Sequence, residues 1–178
     1  NGNVKSYLLR HSVLVMDIEK LILDKEIDFL DFGSSYGRSI ALGKKWFEGR
    51  RGLGIDIDKK KVESAIENGY EAIDYNLLLL PDKPLVDFVI MSHFLEHIDD
   101  RKDLYNIIRK ACVVSKKFVY IQQPFFDADG YLFSNGLKLF WSDWTGHPNR
   151  MTSLEMSISL RNLKNQQLIN GYRFFGRK

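Results

Sequence analysis

The sequence has one cysteine, Cys112, among 178 residues, so no internal disulfide can form. It lacks any apolar run near the roughly 20 residues that cross a bilayer, and nothing at its start reads as a signal peptide. These absences lead to the expectation of a cytoplasmic protein with no membrane partner. An excess of one charge sign is missing too: 26 Lys and Arg face 23 Asp and Glu, for a net charge of +3. The basic residues are interspersed with acids, so nucleic acid is not indicated as a partner. With 44% apolar and 28% charged residues, the chain has the composition of one globular domain over residues 1–178 that can bury a core.

Hydrophobic periodicity orders the chain. From Val4 to Leu23, the residues Leu8, Val15, Ile18 and Ile22 recur at helical intervals, which predicts an N-terminal helical segment over residues 1–25, a lid or side layer. Strands are expected at Ile27 to Phe32, Gly52 to Ile57, Tyr70 to Ile73, Val86 to Met91 and Phe118 to Ile121, with a last one at Gly171 to Gly176. Leu77 to Leu80, stopped by Pro81, reads as a buried connector or strand end. Helices are expected from Tyr36 to Phe47, from Lys59 to Asn68 with Gly69 closing it, from Asp99 or Asp100 to Cys112, and from the capping pair Thr152 and Glu155 to Gln166. This alternation implies an α/β fold: a Rossmann-like, doubly wound, mostly parallel sheet of six or seven strands in three α/β/α layers. In such a sheet the ligand site lies beyond the carboxyl ends of the strands.

The turn after the first strand reads Asp31-Phe32-Gly33-Ser34-Ser35-Tyr36-Gly37. Glycine at 33 lets the backbone turn sharply and approach a ligand, and the helix that follows aims its first amides at that space. A purely structural turn uses glycine in the same way. Asp56 then ends the second strand about one βαβ unit later, where a carboxylate can accept both hydroxyls of an adenosyl ribose. Asp58, two residues on, is placed to cap the next helix.

In these residues the chain resembles the class I S-adenosylmethionine-dependent methyltransferases, in particular their small-molecule branch. The family has an acid two residues before the first glycine and a second glycine four residues after it, as Asp31, Gly33 and Gly37 stand here. Asp56 in Gly-Leu-Gly-Ile-Asp-Ile-Asp matches its second-strand acid, and residues 86–100 match its fourth strand with the following Leu-Glu-His turn. The likeness runs from about Ile27 to Gln123. It implies S-adenosylmethionine as cofactor and S-adenosylhomocysteine as product. By the same resemblance, Asp31, Gly33, Ser34, Ser35 and Gly37 hold the methionine part, and Asp56 with Ile57 meets the ribose. Asp74 and Tyr75 flank the adenine, while Ser92 and His93 line the pocket. Two features depart from the family. Serine stands at 35 where glycine is frequent, and the chain stops after the strand near Phe174, where a seventh strand usually follows. The second departure implies a shortened form, a truncated chain, or a homodimer that completes the sheet another way.

His93-Phe94-Leu95-Glu96-His97 also satisfies the H-x-x-E-H pattern of inverted zinc peptidases. That chemistry needs a helix spanning both histidines and a third ligand downstream, for which Glu155 is the glutamate available. The motif instead follows directly on a buried strand, so no metal is expected. His97 reads as a packed, hydrogen-bonded imidazole in a tight turn, with Leu95 buried and Glu96 capping a neighbouring amide.

The stretch from Gln122 to Arg150 is long and aromatic, and residues 123–150 are expected to form a substrate or lid segment. Tyr131, Trp141, Asp143, Trp144 and Arg150 suit a small organic acceptor, although aromatics at such spacing also make ordinary core. His147 and His97 are the candidate general bases. The expected reaction is displacement of a methyl group from the sulfonium by an oxygen, nitrogen or carbon nucleophile. The alternatives are a non-catalytic cofactor-binding scaffold and a nicotinamide-linked oxidoreductase. Against the latter, the G-x-G-x-x-G fingerprint fails at Ser35 and Arg38.

Overall fold

The computed structural model describes residues 18–176. Leu8 and Val15 of the expected N-terminal helices lie outside them. Residues 18–24 form a helix, α1, that buries Ile18 and Ile22. Two compact units divide the chain. One runs to Ser92 and resumes over Lys110–Ile121, and the other holds His93–Arg109 and the residues from Gln122 on.

The first unit carries β1 (Phe29–Phe32), α2 (Arg38–Phe47), β2 (Gly52–Asp56), α3 (Lys59–Glu67), β3 (Glu71–Asp74) and β4 (Val86–Ser92). The end of α4 (Arg101–Val114) leads into β5 (Ser115–Gln122), which completes a sheet of order β3-β2-β1-β4-β5. β1 pairs in parallel with β2 on one side and with β4 on the other, and β2 pairs in parallel with β3. Strand order therefore reverses at β1, as a doubly wound sheet requires. Every residue of β1 and β2 is buried, which explains why their sequences do not alternate between apolar and polar.

Aromatic side chains hold the sheet to α2. Phe29 stacks on Phe88 with ring centroids 4.8 Å apart, Phe88 stacks on Phe118 at 4.9 Å, and Ile40 and Ile90 close the same cluster. Fully burying a side chain such as Phe29, Ile40 or Ile90 contributes roughly 1.5–3 kcal/mol. Gly52 leaves the room this needs, because an added Cβ would stand 2.1 Å from Cζ of Phe29. On β3, Ala72 packs with Val62 and Ala65 of α3. The expected connector at Leu77 is a 3₁₀ turn, Leu77–Leu79, with Leu77 buried.

Three expectations differ from the structure. Against an expectation of six or seven strands, the described residues hold five. The last strand, expected at Gly171 to Gly176, is irregular chain with Phe174 and Phe175 exposed. Its aromatic residues suit a strand, but the segment forms no ladder with any strand among the described residues. α2 starts at Arg38 rather than Tyr36, because Gly37, at φ +86°, is its left-handed N-cap.

In the second unit, the Asp100 carboxylate accepts from the amides of Lys102 and Asp103 at 2.7 and 2.9 Å and so starts α4. A short helix, α5 (Asp129–Ser134), and a longer one, α6 (Ser153–Asn165), follow. The capping box expected at Thr152 and Glu155 is present, and Glu155 also accepts from Arg101 at 2.8 Å. No helix of the described residues is long and apolar enough to cross a membrane.

Candidate cofactor site

The glycine bend and the second-strand acid meet at one rim of the sheet. Leaving β1, the amide of Gly33 donates to the Ile55 carbonyl at 2.8 Å, which seats the bend against the end of β2. One residue past Ile55, Asp56 accepts from the amide of Ser35 at 2.9 Å through Oδ2 and from the amide of Asp58 at 3.0 Å through Oδ1. Each carboxylate oxygen keeps a second acceptor direction. The bend reaches this position by turning left-handed at Gly33 (φ +69°), Ser35 (φ +49°) and Gly37 (φ +86°). Serine at 35 thus holds a conformation that glycine adopts at no steric cost. Asp58 caps α3, as its position predicts, by accepting from the Lys60 amide at 3.0 Å.

Two buried polar side chains of this region are incompletely satisfied. Asp31 is fully buried. Its Oδ2 accepts from the Ser39 hydroxyl at 2.5 Å, whereas Oδ1 has no partner among the described residues. The buried hydroxyl of Ser34 has none either. Burial pushes the Asp31 carboxyl up to about 7; the Ser39 hydrogen bond works against this and the nearby Asp56 carboxylate adds to it. Buried polar atoms are nearly always paired, so these two orphans are candidates to meet a ligand's polar groups. An ammonium group and a pair of hydroxyls are such groups.

The remaining expected residues fall around the same rim or away from it. Asp74 faces Asp56 across the β2–β3 register; it is exposed and stands 3.8 Å from Lys59 Nζ. Ile57 leaves 76% of its surface exposed, an apolar face beside the acid. Tyr75 is buried, and its hydroxyl donates to the Leu79 carbonyl at 3.3 Å, which directs the ring into the core. Ser92 ends β4, while His93 belongs to the second unit. Two contributors carry no motif signal in the sequence. Ser39 is in the first turn of α2, and Gly54 leaves space for Ser34, whose Oγ would lie 2.5 Å from an added Cβ.

The turn after β4 also differs from expectation. Leu95–His97 is a single 3₁₀ turn, and His93 before it is left-handed at φ +52°, so the helix that the zinc-peptidase pattern needs is absent. Leu95 is buried as expected. His97, expected to be packed, is exposed, and its hydrogen-bonding contact is the one between Nδ1 and the Gly146 carbonyl at 2.6 Å. Glu96, expected to cap an amide, is 1% exposed with neither oxygen hydrogen-bonded among the described residues. His93 Nδ1 lies 3.3 Å from Glu96 Oε1, an ion-pair contact that raises the His93 pKa against the opposing effect of partial burial. His147 is 6% exposed, with Nδ1 3.2 Å from the Trp141 carbonyl and its ring between Trp144 and Phe126.

No protein-family model matches the sequence, and no curated protein matches it. Solved structures do. A SAM-dependent methyltransferase from Archaeoglobus fulgidus aligns with 82% of this chain and 66% of its own at 23% identity, with a TM-score of 0.60. Magnesium protoporphyrin IX methyltransferase from Synechocystis, solved with bound S-adenosylhomocysteine, aligns with 91% of this chain and 76% of its own at 17% identity, TM-score 0.57. The plantazolicin methyltransferase BpumL, in complex with S-adenosylhomocysteine, aligns with 84% of this chain and 64% of its own at 14% identity, TM-score 0.59. The chain thus spans just under two thirds of the length of the first and third. These likenesses show the fold.

Proposed function

Because this chain has the fold of the SAM-dependent methyltransferases, we propose that it binds S-adenosylmethionine at the tips of β1 and β2 and moves the methyl group to a small-molecule acceptor. One observation carries the reading: the Gly33 bend and Asp56 are hydrogen-bonded together, beside the orphaned Oδ1 of Asp31. Asp31 then accepts from the ammonium of the methionine part, and Asp56 accepts from the ribose hydroxyls. Gly33, Ser34, Ser35 and Gly37 shape the approach, Ile57 stands beside Asp56, Asp74 borders the adenine, and Ser92 and His93 complete the set.

When bound, the cofactor supplies a methyl carbon already activated by its sulfonium. The chain's own work is to bind, orient and exclude water, so no catalytic triad is required. Where an oxygen, nitrogen or carbon acceptor must lose a proton, His97 and His147 are the candidate bases. The segment over residues 123–150 is the proposed acceptor segment, with exposed Tyr131 and Trp144 as apolar contacts. The neighbours named for magnesium protoporphyrin IX and for plantazolicin support an organic acceptor.

We also propose that the sheet grows to six or seven strands, in three layers, along β5, none of whose residues is buried. A second copy of the chain is the proposed partner there. The buried lone thiol of Cys112 is consistent with a cytoplasmic location.

Thermal shift tests the function directly. S-adenosylmethionine and S-adenosylhomocysteine are expected to raise the melting temperature and NAD to leave it unchanged. A shift with NAD alone, or equal shifts in Asp56→Ala and the parent, would overturn the proposal.

A further inference from the structure

The second unit contains a side-chain cluster to which both candidate bases belong, and metal coordination is an alternative role for these histidines. Glu96, His97 and His147 each place one potential ligand atom within 4.8 Å of the others. Ligands about 2.1 Å from a tetrahedral ion stand roughly 3.4 Å apart, so small side-chain rotations close the set.

Three further observations point to a cation. The Glu96 carboxylate is 1% exposed, neither oxygen accepts a hydrogen bond among the described residues, and its ion-pair contact is Oε1 to Nδ1 of the exposed His93 at 3.3 Å. A buried carboxylate that accepts no hydrogen bond and meets only an exposed imidazole is costly, and a bound cation removes that cost. Both histidines are held as metal-binding histidines are: Nδ1 of His97 is 2.6 Å from the Gly146 carbonyl, and Nδ1 of His147 is 3.2 Å from the Trp141 carbonyl. A carbonyl only accepts, so Nδ1 carries the proton in each ring, and the Nε2 lone pair of a neutral imidazole is left for a ligand bond.

The two segments that supply these side chains are also fastened together. Asn149 donates its backbone amide to the Glu96 carbonyl at 3.2 Å and its Nδ2 to the Leu95 carbonyl at 3.3 Å. The imidazole of His147 packs edge-on against Trp144 at 4.5 Å and lies 5.1 Å from that of His97. Because His97 is exposed, an ion has a way in from solvent.

We propose that Glu96, His97 and His147 form a binding site for one divalent transition-metal ion. Two imidazoles and one carboxylate are a borderline donor set that suits Zn²⁺ or Co²⁺, whereas Mg²⁺ and Ca²⁺ favour all-oxygen sites. Three protein ligands leave coordination positions for water or for an oxygen or nitrogen of a small molecule. The site differs from the zinc-peptidase pattern: Glu96 is a ligand rather than a base, and His147 replaces His93.

The experiment is a titration of untagged, chelator-treated full chain with Co²⁺, read by visible absorption and followed by displacement with Zn²⁺. One ion per chain is expected. Glu96→Gln and His147→Asn should each weaken binding at least tenfold, as should His97→Ala, whose exposed side chain can be removed without opening the core. His93→Ala should bind within about threefold of the parent. Circular dichroism reports whether each variant is folded, and the S-adenosylmethionine thermal shift of the Glu96, His97 and His147 variants distinguishes loss of metal binding from loss of cofactor binding. Absence of Co²⁺ binding by the parent would overturn the site. So would unchanged binding in folded His97→Ala, or a dependence on His93 in place of His147.

Discussion

The Ser35 amide lies 2.9 Å from Asp56 Oδ2, so the bend after β1 and the acid that ends β2 form one hydrogen-bonded unit. A carboxylate so fixed by two amides is preorganised for a ligand's hydroxyls. Asp56→Asn keeps one acceptor oxygen and the side-chain volume but loses the charge and the second acceptor. Its affinity for S-adenosylmethionine is expected to fall by about 10- to 100-fold, since a hydrogen bond to a charged group contributes about 1.5–3 kcal/mol. Isothermal titration calorimetry measures the loss, and an unchanged Kd would remove Asp56 from the site.

Asp31 makes the ligand-free protein sensitive to pH. Its pKa is raised from an ordinary 3.8 to about 7 by burial, so between these values the folded state holds a proton that the unfolded chain has released. The contribution of this group is fully present below pH 3.8 and is lost as the pH rises through about 7. Each pH step of one across that interval removes about 1.4 kcal/mol, a few kcal/mol in all. Asp31→Asn should flatten the decline in stability between about pH 4 and pH 8, as read by urea unfolding, while abolishing the thermal shift with S-adenosylmethionine. In the parent, binding of the cationic cofactor should tighten as the pH rises to about 7.

Gly37 is constrained both by conformation and by space. At φ +86° it sits where side chains are strained, and an added Cβ would lie 2.3 Å from the Tyr70 ring. Gly37→Ala should therefore cost about 2–4 kcal/mol, from backbone strain together with overpacking. Chemical denaturation gives the figure, and a cost below about 1 kcal/mol would mean that the bend relaxes freely.

Thr152 closes a reciprocal cap with Glu155 at the start of α6. Thr152→Ala is expected to destabilise the protein by about 1 kcal/mol, with cofactor binding unchanged. Thermal melts with and without S-adenosylmethionine separate the two quantities.

How far the sequence discloses the structure depends on whether a feature is local. The β1 bend, the Asp56 tip and the Thr152–Glu155 cap each lie within a few consecutive residues, where glycine, a terminal acid or a spacing of three specifies geometry. The segment after Gly171 has a strand's aromatic residues between two glycines, yet pairing needs a partner strand that composition cannot supply. Tyr75 has the right address for an adenine neighbour, but its hydroxyl finds the Leu79 carbonyl and takes the ring inward. The meeting of Glu96 with the His147 region is illegible in the sequence because a long stretch of chain separates them, and the bonds from Asn149 to Leu95 and Glu96 that join the two leave no local pattern.

Cys112 offers a use of its own. The thiol is buried, and its pKa is pushed up to about 11 by that burial, so at neutral pH almost none of it is the reactive thiolate. Alkylating reagents should leave the intact protein untouched and label it only when α4 opens. One natural side chain thus serves as a clock for the opening of this helix, with no engineered probe.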